Sequence, residues 1–241
     1  MLETLQETSH FWRVVTHLGS SSLLLPLLAL MAAGLWRSGQ APALKIWLKA
    51  LALAAILTLA TKIAFLGWGF GIVSLDFTGI SGHTLGAAAV LPVVFGWLPA
   101  RAGQCYRPAG AAFGVLLATA VGVSRIVLDT HSPSEVAAAG LVGLLVSGLA
   151  LTALQESPSR PRFARLAPLI LLLAFDTNTS TYLPTHDLEI RMAMLLSGRD
   201  SPFQRHHLHR PTAASNPPLA RTNAPPPDLG AARPPTVSRR V

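Results

Sequence analysis

Four groups of residues in this 241-residue chain have the types and spacing to handle a phosphate. Ser81-Gly82-His83 stands where a polar loop enters an apolar run, at an expected helix start. Unbonded backbone N–H groups and the positive end of the helix dipole attract an anion at such a point. Gly82 has no Cβ and lets the backbone approach that anion closely. Ser124-Arg125 adds a planar guanidinium fork that matches two phosphate oxygens. His131 and Glu135 are four apart at another expected helix start, hence on one face. The carboxylate can then take the imidazole N–H and leave the other ring nitrogen as a nucleophile. Lys62 lies six residues before the end of an apolar stretch; it is either a snorkelling lysine or a cation for the same anion.

The elements that must position these groups are membrane helices. Only 12% of the residues are charged, about half the usual share of a soluble protein, while 51% are hydrophobic and 7% aromatic. That balance argues against a soluble enzyme and for Leu-, Ala- and Val-rich helices in lipid. The single cysteine, Cys105, excludes an intramolecular disulfide and a cysteine zinc site. Five stretches are long and apolar enough to cross about 30 Å of hydrocarbon: Leu18 to Trp36, Ile46 to Trp68, His83 to Pro99, Ala109 to Val123 and Glu135 to Leu154. A sixth, Leu166 to Phe175, is shorter; it dips into the interface, completes a crossing or packs on the bundle. The expected fold is therefore all-α, a polytopic bundle of five or six transmembrane helices. Residues 1–17 form an N-terminal segment, 18–155 the bundle, 156–200 a basic segment and 201–241 a Pro/Arg-rich tail. Glu3 and Glu7 precede the first span, with no basic leader or small-residue cleavage site, so it reads as a retained helix.

Net charge is +8, but its placement decides what it means. Ile46 to Gln155 contains eight charged residues, whereas the last 41 residues carry six arginines and nine prolines. Such a tail buries too little apolar surface to offset its ordering entropy, so disorder from about Ser201 onward, away from the site, is expected. Phe203 is its one aromatic residue, which leaves no stacking platform for bases. No nucleic-acid partner is expected; membrane lipids are the partner implied, and the sequence does not fix an oligomeric state.

Ser124-Arg125, five residues, His131, three residues and Glu135 resemble the third signature of the type 2 phosphatidic acid phosphatase and haloperoxidase superfamily, whose last residue is usually Asp. Ile80-Ser81-Gly82-His83 resembles its second signature, Pro-Ser-Gly-His. The first signature is half present, since Lys62 is not followed by the family's Arg-Pro. The resemblance covers about residues 60 to 150. It implies catalysis without metal or cofactor: His131 as nucleophile, His83 as general acid and base, and Glu135 as the group that orients His131. Lys62, Ser81, Gly82, Ser124 and Arg125 would bind the phosphate. It also implies a lipid phosphate or pyrophosphate substrate, with transfer to another acceptor or phospholipid binding without turnover as alternatives. Asp76 and Asp129 have no counterparts and read as solvated or turn-forming residues.

Basic residues in the short loops set the orientation. Arg37, Lys45 and Lys49, then Arg101 and Arg107, then Arg160, Arg162 and Arg165 fall on one face, expected to be cytoplasmic. All four polar groups converge on the other face, periplasmic in a bacterial inner membrane, and ionisable groups gathered at one membrane level are a site hypothesis in themselves. A cysteine at Ser74 in a Cys105→Ala background should therefore react with an impermeant thiol reagent in whole cells. Labelling only after lysis would reverse the orientation.

Overall fold

The computed structural model describes residues 2–97, 106–154 and 185–209. Their helices are α1 (Leu2–His17), α2 (Ser21–Arg37), α3 (Ala41–Trp68), α4 (Gly82–Trp97), α5 (Tyr106–Val127), α6 (Pro133–Ala153), α7 (Thr185–Ser197) and a short α8 (Arg205–Leu208). Among the described residues the apolar stretches His10–Arg37, Ala41–Trp68, Arg107–Val127 and Pro133–Ala153 are long enough to cross a membrane. The bundle is all-helical and polytopic, as expected. The described residues belong to one compact unit; residues 210–241 lie outside the described residues, as does Leu166 to Phe175.

α4 is the centre. It has 16 residues, about 24 Å at 1.5 Å each, and would be short for a lipid-facing span. Its side chains are apolar all round, and Ala87, Ala89, Leu91, Val93 and Val94 are fully buried, the pattern of a helix enclosed by others. α5 and α6 pack against it through small residues. A Cβ on Gly114 would meet the Leu91 backbone at 2.6 Å, and one on Gly143 would meet the Leu85 carbonyl at 2.7 Å. Glycine at these two points lets the helix backbones touch. α3 joins the core through Trp47, whose indole N–H donates to the Ala89 carbonyl at 3.0 Å. On the outside the bundle presents Leu53, Ile56, Leu116, Leu141 and Leu145, all exposed, as lipid would favour.

The two ends of the bundle differ. At one, Arg107 of α5 donates to the Leu154 carbonyl just past α6. At the other lie Lys62 near the end of α3, the start of α4, the end of α5 and the start of α6. The chain leaves this second end along α6 and is back at it by Glu189 of α7, which pairs with Lys62 at 2.8 Å. α7 then follows the last turns of α3, where a Cβ on Gly67 would meet the Ala193 carbonyl at 3.2 Å. The expected disorder from Ser201 does not hold for Ser201 to His209. The Phe203 amide donates to the Leu66 carbonyl at 2.8 Å, and the Phe203 ring lies against Gly69. Arg199 stacks over the same ring at 4.2 Å from its centre. A few specific anchors order a short segment whose average composition predicts none.

Candidate functional site

The site is organised at the entrance to α6. Ser132 caps the helix, Pro133 follows as its first residue, and the Ser132 hydroxyl accepts from the Glu135 amide while the Glu135 carboxylate accepts from the Ser132 amide at 3.1 Å. This reciprocal cap satisfies two backbone donors that a helix start leaves open. His131 therefore precedes the helix rather than sharing a face with Glu135 inside it. The carboxylate reaches back to it, and His131 Nδ1 lies 2.7 Å from Glu135 Oε2. An ionised carboxylate only accepts, so Nδ1 carries the proton and the lone pair of neutral His131 is at Nε2.

Glu135 is fully buried, and five donors meet its two oxygens. Oε1 takes the Thr78 amide at 2.7 Å and the Thr78 hydroxyl at 2.6 Å. Oε2 takes His131, the Ser132 amide and Arg205 Nη2, the last at 2.7 Å. A buried carboxylate without such partners would carry a large desolvation cost. Thr78 is brought here by the loop after α3, which turns at Asp76 in the left-handed region (φ 47°). The Ile80 amide donates to Thr61 Oγ1 of α3 at 3.2 Å, so the loop is fastened on both sides.

His83 occupies the first turn of α4, within electrostatic range of Arg125, His131, Lys62 and His17. A Cβ added to Gly82 would meet nothing within 4 Å, so the backbone there borders open space. The Ser81 hydroxyl is buried and shares a hydrogen bond with Thr84 Oγ1 at 3.0 Å. Arg125 donates to Thr16 Oγ1 of α1 at 3.0 Å. Lys62 is engaged by both Glu189 oxygens, at 2.8 and 3.0 Å, so an anion would have to share it. Ser124 is not brought into the group: its one proton goes to the Val121 carbonyl at 2.6 Å, within its own buried helix turn.

Asp129 is turn-forming, with φ 52°. Asp76 also turns the chain but is not merely solvated, since it pairs with Arg205 at 2.5 Å and His209 at 2.8 Å. Burial works to raise its carboxyl, yet hydrogen bonds from His209 and Arg205 and their charge hold it below the ordinary value. For Arg205, burial opposes the charge, but hydrogen bonds to Glu135 and Asp76 push it above its usual range. Thr78, Asp76, Glu189 and Arg205 belong to no short pattern in the sequence. The Ser-Pro-Ser-Glu run from Ser132 to Glu135 is a capping-box signal that marks where α6 starts.

Glutamate suits this position because one carboxylate must span Thr78 on one side and His131 on the other. Glu135→Asp withdraws it by one methylene. Turnover should fall by about tenfold or less, as for a misaligned partner of a catalytic imidazole. Activity equal to or above wild type, measured on the same substrate, would show that the longer side chain is not what the backbone requires.

Comparison with known proteins identifies the family of the chain. The family model of the PAP2 superfamily matches residues 6–158. An "Uncharacterized 22.5 kDa protein in cps region" of Klebsiella pneumoniae is 32% identical over 204 residues, covering 83% of this chain and 98% of the relative. No solved structure matches. With more than half its length matched, and with Ser81-Gly82-His83 and the His131–Glu135 pair assembled at one end of its bundle, the chain belongs to the PAP2 superfamily, whose members are generally phosphatases.

Proposed function

We propose that the protein is an integral membrane phosphatase that hydrolyses a lipid phosphate or pyrophosphate through a phosphohistidine, with no metal. The observation that carries this reading is the 2.7 Å contact between His131 Nδ1 and the buried Glu135 carboxylate, which leaves Nε2 as the nucleophile. His131 Nε2 attacks phosphorus in line; the P–N bond forms as the P–O bond to the lipid breaks, and His83 gives its proton to the leaving oxygen. His83 then removes a proton from water, the P–O bond to that water forms, and the P–N bond breaks to release phosphate and free His131. Arg125, the Gly82 amide and Lys62 neutralise the equatorial oxygens, with Lys62 exchanging part of its contact with Glu189 for the phosphate. Ser81 supports this loop through Thr84.

A lipid substrate is supported by a crevice of about 180 Å³ between α5 and α6, floored by α4. Thr84, Ala88, Gly122, Ile126, Val136 and Gly140 are among its lining residues. Three of these adjoin site residues: Thr84 bonds Ser81, Ile126 follows Arg125 and Val136 follows Glu135. A headgroup at the site can therefore continue into an apolar slot that takes one hydrocarbon chain. We place the site on the non-cytoplasmic face of a bacterial inner membrane, following the loop charges.

Detergent-purified protein in EDTA should hydrolyse at least one of a panel of lipid phosphates and pyrophosphates, and His131→Ala should abolish that turnover. Full activity in His131→Ala, or activity removed by EDTA and restored by Mg²⁺, would end the mechanism. Gly140→Leu tests the crevice, because a Cβ at Gly140 meets nothing within 4 Å and the backbone is not disturbed. It should lower turnover of a long-chain substrate by about tenfold while sparing its short-chain analogue, as a blocked apolar pocket costs about 1–3 kcal/mol. Equal effects on both would remove the crevice from substrate binding.

A further inference from the structure

Arg205 comes from the segment that composition assigns to a disordered tail, yet its guanidinium sits at the centre of the site. Nη2 donates to Glu135 Oε2 at 2.7 Å and to Thr78 Oγ1 at 3.4 Å. Nη1 donates to the Asp76 carboxylate and, at 3.2 Å, to the Asp76 carbonyl. One planar cation thus joins the loop after α3, the carboxylate at the start of α6 and the C-terminal segment. It is held from behind: His209 takes the other Asp76 oxygen at 2.8 Å, Phe203 anchors to Leu66, and Leu208 lies against Gly71.

Two roles are chemically open to an arginine here. It could bind the phosphate and so stand in for the arginine missing after Lys62, or it could act on the carboxylate that holds His131. Both terminal nitrogens already donate to Asp76, Thr78 and Glu135, and a phosphate would have to break those contacts, one of them to a fully buried carboxylate. Oε2 of Glu135 is shared between Arg205 and His131 Nδ1, so Arg205 fixes the atom that fixes the nucleophile.

We infer that Arg205 is a positioning residue for the proposed reaction, locking Glu135 so that His131 is held with Nε2 toward phosphorus. This rests on the phosphohistidine reading. The segment Ser201 to His209 is then part of the enzyme, and truncation after Asp200 removes a working residue.

The test compares Arg205→Gln and Arg205→Lys with wild type and His131→Ala, using the lipid phosphate turned over by wild type. Thermal unfolding and elution in detergent establish that each variant is folded. Arg205→Gln should lower kcat by about tenfold or more and leave KM within about twofold. Arg205→Lys keeps the charge and a donor for Glu135 and should restore most of kcat. Both variants behaving as wild type would overturn the inference. So would a raised KM with kcat kept, the signature of a phosphate ligand, or a kcat as low in Arg205→Lys as in Arg205→Gln, the signature of a purely structural contact. Full activity in His131→Ala would instead overturn the catalytic reading and this inference with it, whereas an inactive His131→Ala beside an unaffected Arg205→Gln overturns this inference alone.

Discussion

A carboxylate enclosed by protein must be met by hydrogen-bond donors or it does not stay charged, and Glu135 is where this constraint falls on the present molecule. Leaving a buried charge unpaired costs about 3–5 kcal/mol, so each element that supplies a donor is tied to the others. The loop after α3 supplies Thr78, the cap of α6 supplies the Ser132 amide, the α5–α6 turn supplies His131, and the C-terminal segment supplies Arg205. One side chain thereby closes the helix, fastens a loop, sets an imidazole tautomer and docks a distant part of the chain. The catalytic proposal is a consequence of the same arrangement, because the nitrogen left over after Nδ1 has donated is the one that can attack phosphorus.

The bundle makes that arrangement possible by keeping α4 short and surrounded. Glycines of α5 and α6 touch the α4 backbone, which brings the end of α5 and the start of α6 to the first turn of α4. His83, Arg125 and His131 then meet at one level although 48 residues separate the first from the last. Where α5 and α6 do not close on each other, a slot lined by small residues remains beside the site. Close packing around α4 and the opening between its two partners are two results of the same choice of small side chains.

Much of this was legible in the sequence, for physical reasons that also mark where the reading stops. Long apolar runs must form helices in lipid, because backbone groups have no other partners there. The blocks around Ser81-Gly82-His83 and His131 to Glu135 are local, so their spacing survives as a pattern. Arg205 and Glu189 have no such signature: each meets its partner across many residues, and composition averages over them. Reading Ser201 onward as disordered follows from counting prolines and arginines, yet specific contacts made by Phe203, Arg205 and His209 order nine residues. Ser124 shows the converse, since a residue inside a recognisable motif can spend its one proton within its own helix. Spacing from Glu135 puts His131 on the helix, whereas Ser132 caps a helix that begins at Pro133 and the long glutamate side chain bridges the difference.

The central claim is that the buried carboxylate turns His131 into the nucleophile, and a covalent intermediate is its most direct consequence. The measurement is rapid quench of the protein with a lipid phosphate labelled at phosphorus, followed by acid and alkali treatment of the denatured chain. The account predicts label on His131 that survives alkali and is lost in acid, with none in His131→Ala. Turnover with no labelled protein under conditions where His83→Ala slows hydrolysis of the intermediate, or label that persists in His131→Ala, would contradict it.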